Sequence, residues 1–252
     1  MRCATALMLL LATAIAGTGG VAGAAEVQVA VAANFAAPMQ RIAASFAAAT
    51  GHTAVVAVGS TGRFYAQIRN GAPFEVLLSA DDETPLKLER EGLAVAGTRR
   101  TYATGRLVLW SAAPGRVDAD ASVLRRPPGG RLAIADPRLA PYGAGAIEAM
   151  TRLGVLAAWQ PHLVQGESVG QAYQFVASGN AALGFVALSQ VMADGRIARG
   201  SGWIVPQELH APLRQDAVLL NPGKDKPAAL ALLAHLRSES VQSLLRGYGY
   251  TP

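Results

Sequence analysis

The chain has one cysteine in 252 residues, Cys3. An internal disulfide is therefore excluded, and so are a zinc–thiolate cluster and a thiol nucleophile anywhere past the first few positions. Aromatic residues are scarce, at 6%, and no five like charges stand in succession; the densest basic spots are Arg99-Arg100 with Arg106, and Arg125-Arg126. A nucleic-acid surface needs a basic stripe interleaved with aromatics, so the formal charge of +5 reads as ordinary solvated charge that mildly favours anions. His52, His162, His210 and His235 lack the spacing of a helical ligand pair, and all four read as solvent-facing. Long apolar runs are missing too. The stretch over residues 4–16 is shorter than the roughly 18 residues of a membrane helix. With Met1-Arg2 before it and Ala22-Gly23-Ala24 after it, it reads as an export signal over residues 1–24, cleaved before Ala25. Cys3 precedes the apolar run, so it is not placed for lipid attachment.

What remains is long enough for one large domain or two lobes. Strand-like and helix-like segments alternate. Residues 27–32 and 53–58 are apolar runs of strand length; residues 36–49 carry Met39, Ile42, Ala43 and Phe46 at helical spacing and stop at Gly51. Strands are expected over 76–79, 106–110, 131–135, 183–187 and 217–220, with helices over 64–70, 80–88, 143–153, up to 177 and, as one tail, 227–245. Such alternation predicts an α/β protein with parallel sheet. A break at 111–115 marks a crossing from one lobe to another, and the strand at 217–220 returns to the first. The predicted division is residues 25–106 plus 213–252 for lobe 1 and 107–212 for lobe 2.

Four times a strand gives way to a helix through a short turn of small or neutral polar residues: Ala33-Asn34-Phe35, Gly59-Ser60-Thr61-Gly62, the segment from Asp136-Pro137 to Tyr142-Gly143, and Gly166-Glu167-Ser168-Val169. A helix beginning there aims unpaired N–H groups and its positive dipole end beyond the strand tip, which favours an anion. No Lys or Arg stands in the first turn and Arg63 only follows the second, so an anion held there is held by neutral donors. Each turn taken singly is equally well explained as a helix cap, since Asn34 and Ser60 are good capping residues.

In order along the chain, these segments resemble the periplasmic molybdate-binding proteins of ABC uptake systems. The matching stretches are Val31-Ala32-Ala33-Asn34, Gly59-Ser60-Thr61-Gly62, Gly71-Ala72-Pro73 with Leu78-Ser79-Ala80-Asp81, Ala135-Asp136-Pro137 with Pro141-Tyr142-Gly143, Glu167-Ser168-Val169, and Leu183-Gly184-Phe185-Val186. The resemblance implies a two-lobed periplasmic binding protein of type II with two crossover segments. It implies a monomer that captures molybdate, and tungstate with it, in the interlobe cleft and delivers it to a membrane permease, without a cofactor. Carried over residue by residue, it implies ligand contacts from the Asn34 amide and N–H, from Ser60 or Thr61 with Thr61 favoured, from Tyr142, and from the Val169 N–H. Ala187 departs from relatives that place a binding tyrosine there, and Tyr142 is expected to take over that bond.

Molybdate is fully deprotonated at neutral pH, so its oxygens only accept, which suits a cage of donors. Protonated phosphate needs an acceptor in the cage. That acceptor is usually a carboxylate, and no Asp or Glu stands at the tip of the first two turns, although Asp136 and Glu167 lie near the others. Sulfate remains the nearer alternative, separable only by ring size. The farther alternative is a secreted hydrolase, since Gly166-Glu167-Ser168-Val169-Gly170 fits Gly-x-Ser-x-Gly with Asp194 and His210 following. The reading adopted is that the protein is not an enzyme.

Overall fold

In the computed structural model the described residues are 23–126, 128–193 and 195–251. The export signal expected over residues 1–24, except its last two residues, and Asp194 lie outside them.

The first half runs β1 (Glu26–Ala32), α1 (Ala36–Thr50), β2 (Thr53–Gly59), α2 (Thr61–Arg69), β3 (Val76–Leu78), α3 (Glu83–Arg90), β4 (Arg100–Gly105) and β5 (Leu107–Ser111). Then follow β6 (Leu132–Ala135), α4 (Pro141–Arg152), α5 (Leu156–Trp159), β7 (Leu163–Gly166), α6 (Val169–Ala177), β8 (Leu183–Ala187) and α7 (Leu188–Val191). A small hairpin of β9 (Met192–Ala193) and β10 (Arg196–Ile197) leads to β11 (Ser201–Ile204), β12 (Leu213–Leu219), α8 (Pro227–His235) and α9 (Glu239–Gly247).

Two five-stranded sheets result, in the orders β2-β1-β3-β12-β4 and β11-β5-β8-β6-β7. Each is the centre of a lobe. Only Arg106 separates β4 in the first sheet from β5 in the second, and the chain returns between β11 and β12. The sheets are mixed rather than parallel: β12 runs antiparallel to β3 and β4, and β5 antiparallel to β8 and β11. A strand that returns after a visit to the other lobe enters its sheet from the opposite end, a reversal that local alternation does not reveal.

Both faces of each sheet are covered, which explains the near-continuous apolar runs. In β1, Val27, Val29 and Val31 pack beneath Phe35, Met39, Ile42 and Phe46, while Ala30 faces Phe64, Ile68 and Leu88. In β5, Leu107 and Leu109 face Leu132, Ile134 and Phe185, while Val108 and Trp110 face Val176 and Val186. The two-residue period of a strand produces this split.

The helical tail expected over 227–245 is two helices. Ser238 caps the second, its hydroxyl accepting from the Val241 N–H. β4, β11 and the β9–β10 hairpin are additional to the predicted strands. His52 and His210 are buried rather than solvent-facing: His52 Nδ1 accepts from the Ala25 N–H at 3.2 Å, and His210 packs against Gly145 with Nδ1 2.7 Å from the Ala211 carbonyl. Among the described residues no helix is long and apolar enough to cross a membrane.

Candidate functional site

Four strand tips meet between the lobes. Ala32 ends β1 and passes into a 3-10 turn, Ala33–Phe35, that leads into α1. Gly59 ends β2 one residue before α2; Ala135 ends β6 ahead of the loop to α4; Gly166 ends β7 two residues before α6. At their junction is a small cavity of about 10 Å³, lined by residues of all four turns together with Ala80. That volume suits a single water or a compact ion, and it is far below the roughly 300–1,000 Å³ of sites for drug-sized organic ligands.

All five residues singled out from the sequence line this cavity: Asn34, Ser60, Thr61, Tyr142 and Val169. All are buried. Thr61 and Val169 are the first residues of α2 and α6, and Tyr142 is the second of α4, behind Pro141. Their N–H groups fall in the first turn, where a helix provides no acceptor. Three helix dipoles therefore place their positive ends at one point.

The hydroxyls divide clearly. Thr61 Oγ1 accepts from the Ala80 N–H at 3.1 Å and lies 3.3 Å from Ser79 Oγ, which in turn donates to Asp81 at 2.9 Å. With the Ser79 proton on Asp81, Ser79 accepts the Thr61 proton. Ser60 Oγ is buried and has no partner among the described residues. Although Ser60 occupies the cap position of α2, its side chain makes no capping bond. Of Asn34, Ser60 and Ser168, Ser168 alone behaves as a cap, accepting from the Gln171 N–H at 3.3 Å. The capping explanation thus holds for the fourth turn and fails at Asn34 and Ser60.

Asn34 behaves differently from its predicted role. Its Nδ2 donates to Gln215 Oε1 at 2.9 Å and to the Tyr250 hydroxyl at 3.0 Å. Its carbonyl accepts from Ser189 Oγ at 2.7 Å and from Tyr250 at 2.9 Å. The side-chain amide hydrogens are thereby spent on fixing the turn. Burial pushes the hydroxyls of Tyr142, Tyr102 and Tyr250 above the ordinary tyrosine range, so all three stay protonated.

Among the described residues no charged side chain lines the cavity. Asp136 is taken by Arg138, whose Nη2 and backbone N–H donate at 2.9 and 3.0 Å; these bonds hold its carboxyl below the usual carboxylate range. Glu167 pairs with Arg63 outside, both more than half exposed. Asp81 lines an adjoining, larger groove that shares Thr61, Ala80, Ala140 and Pro141 with the cavity, and burial pushes its carboxyl up. The two acidic residues near the third and fourth turns thus contribute no carboxylate to the cage; among the described residues its unpartnered acceptor is the buried side-chain oxygen Oδ1 of Asn34.

The lobes are in contact around the cavity. The Gly62 N–H donates to the Leu139 carbonyl at 2.9 Å, and a Cβ at Gly62 would stand 3.0 Å from Leu139 Cα. Ala187, buried at the end of β8, gives its N–H to Gln190 and does not line the cavity. Ser168 and His210 make no hydrogen bond to each other: the one caps α6, the other faces the Ala211 carbonyl. Among the described residues no group of His, Cys, Asp and Glu is arranged to hold a metal ion.

Sequence reasoning did not single out Gln215, Tyr102, Tyr250 or Ser189, which support the cavity wall from behind. A glutamine between Leu213 and Ala217, at the head of a buried return strand, was the available signal.

Comparison with known proteins matches residues 27–251 to the family model for bacterial extracellular solute-binding proteins. The molybdate-binding protein ModA of Azotobacter vinelandii is 57% identical over 91% of both chains. That of Rhodobacter capsulatus is 51% identical over 98% of this chain and 94% of its own. Among solved structures, an Azotobacter vinelandii periplasmic molybdate-binding protein superposes with a TM-score of 0.86 at 40% identity, covering 90% of this chain and 99% of that one. A sulfate-binding protein, SubI of Mycobacterium tuberculosis, shares the fold alone, with a TM-score of 0.72 at 14% identity.

Proposed function

The chain belongs to the bacterial extracellular solute-binding proteins and, among them, to the molybdate-binding proteins, and from that membership we propose that it captures molybdate between its lobes and delivers it to an ABC importer. The observation that carries the reading is a buried cavity at four strand tips, lined by uncharged residues, in which among the described residues the Ser60 hydroxyl and Asn34 Oδ1 have no protein partner. A tetrahedral dianion with four accepting oxygens satisfies such a cage, and tungstate does so equally. Protonated phosphate would set its own O–H against these donors, with no carboxylate among the described lining residues to accept it.

Ser60 supplies the side-chain hydroxyl. Thr61, Val169 and Asn34 supply backbone N–H groups, and Tyr142 supplies its phenol in the absence of a tyrosine at Ala187. Residues 25–106 with 213–252 form lobe 1 and residues 107–212 form lobe 2, a division supported by the membership of the two sheets. Contacts from both lobes to one ion favour the closed form by their differential affinity. The protein acts in the periplasm as a monomer, without a cofactor and without enzymatic activity, and molybdenum is its cargo.

Calorimetric titration of the mature chain with molybdate, tungstate, sulfate and phosphate tests this directly. Binding of the first two, with a melting temperature that climbs with their concentration, is expected. Equal binding of sulfate would remove the specificity, and absence of any oxyanion binding would remove the function.

A further inference from the structure

We propose that Gln215, which does not line the cavity, is a positioning residue that makes Tyr142 a hydrogen-bond donor to the bound oxyanion. The inference rests on the oxyanion reading above.

Gln215 is completely buried at the head of β12, where the chain re-enters lobe 1 and the pairing with β4 slips between Gln215 and Asp216. Such irregularities re-aim a side chain. Its amide bridges two residues of the cavity wall, one from each lobe. Oε1 accepts from Asn34 Nδ2 at 2.9 Å and lies 3.1 Å from the Tyr102 hydroxyl, whose one proton it shares with the Ser79 carbonyl at 3.0 Å, while Nε2 donates to the Tyr142 hydroxyl at 3.2 Å.

A phenol has a single proton. An N–H arriving at the oxygen occupies its accepting side, and among the described residues the Tyr142 hydroxyl has no acceptor of its own. Its proton is left for an anion held in the cavity that Tyr142 lines. An acceptor at the Nε2 position would instead draw that proton backwards and present an oxygen lone pair to the anion. Backbone shape protects the arrangement: a Cβ at Gly105 would overlap both the Tyr142 hydroxyl and Gln215 Nε2, so the two groups meet where only glycine leaves room.

Gln215→Glu tests the assignment through pH. A protonated glutamic acid donates to Tyr142 and accepts from Asn34 as glutamine does, whereas the ionised form only accepts. A buried glutamate ionises late, with a pKa reaching about 8–9, so molybdate titrations are to be run from about pH 6 to about pH 9. Wild type should show flat affinity. Gln215→Glu should bind like wild type at the acid end and roughly 10- to 150-fold more weakly at the alkaline end, the worth of one hydrogen bond to a charged group.

Charge repulsion alone would also weaken binding at high pH, so the same variant is measured in a Tyr142→Phe background. If Gln215 acts through the phenol, the pH-dependent loss shrinks there; a loss of equal size in both backgrounds overturns the proposal. Gln215→Met, which is uncharged, serves as the second variant and stands alone should Gln215→Glu fail to fold. It should weaken binding roughly tenfold, and by less when Tyr142 is already Phe. Full additivity, or a pH-independent loss in Gln215→Glu, marks a merely structural role and overturns the proposal. Wild-type protein that fails to bind molybdate defeats the oxyanion reading itself, whereas wild-type binding with unaltered variants defeats this inference alone.

Discussion

Ser60→Ala and Thr61→Val, measured side by side, separate two adjacent hydroxyls that local sequence cannot rank. Ser60 Oγ is buried without a partner, so its removal from the empty protein breaks no bond. Leaving a buried hydroxyl unsatisfied costs about 1–3 kcal/mol, and the apo form of Ser60→Ala should melt at the wild-type temperature or above. With ligand the same change deletes a hydrogen bond to a dianion, worth about 1.5–3 kcal/mol, or roughly a 10- to 150-fold weaker Kd. Thr61→Val behaves in the opposite way. It strips the acceptor from the Ala80 N–H and the partner from Ser79, which costs about 1–3 kcal/mol of folding stability. It leaves the Thr61 backbone N–H in place, so affinity falls less. Calorimetry for Kd and thermal melts without ligand give both axes. A Thr61→Val protein that melts like wild type yet binds far more weakly than Ser60→Ala would refute the assignment of the ligand bond to Ser60.

Gly62→Ala should uncouple stability from binding. Alanine favours a helix over glycine by about 0.5–1 kcal/mol, yet its Cβ would sit 3.0 Å from Leu139 in the other lobe; the apo protein is expected to melt no lower while molybdate affinity drops, and an unchanged affinity would show that this contact is not needed for closure. Arg63→Ala removes an exposed interlobe ion pair, worth at most about 1 kcal/mol. Its effect on Kd should stay below that of Ser60→Ala at every salt concentration, and the reverse ranking would return the affinity to cationic groups. Affinity should be level from about pH 6 to about pH 9, because burial raises the Tyr142 phenol and among the described residues no carboxylate or imidazole lines the cavity. The sign follows from that shift: a raised phenol keeps its donor proton until pH climbs through the raised value, so a decline of affinity beginning near neutrality would mean that a titrating group is in the cage.

The cavity-lining residues were legible because strand-to-helix turns carry a local signature. Asn34, Ser60, Thr61, Tyr142 and Val169 each sit within two residues of a boundary that apolar periodicity locates. Which atom of each residue is free was not legible, because that depends on partners far along the chain. Thr61 was favoured over Ser60 on alignment alone; its hydroxyl turns out to be spent on Ala80 and Ser79, 19 and 18 residues on. The Asn34 amide is spent on Gln215 and Tyr250, 181 and 216 residues on. The same limit explains the sheets. Periodicity identified β1, β2, β6 and β8, but the antiparallel entry of β12 depends on the chain having crossed to the other lobe and back. In a cage of neutral donors, selectivity rests on which protons are already committed elsewhere. The residues that commit them, Gln215, Ser79 and Tyr250, stand behind the wall, where only the tertiary structure brings them together. Changing one of those three should therefore alter binding without removing any group that touches the ion, whereas changing an equally buried residue outside the network, such as Leu232 in α8, should alter stability and leave Kd intact.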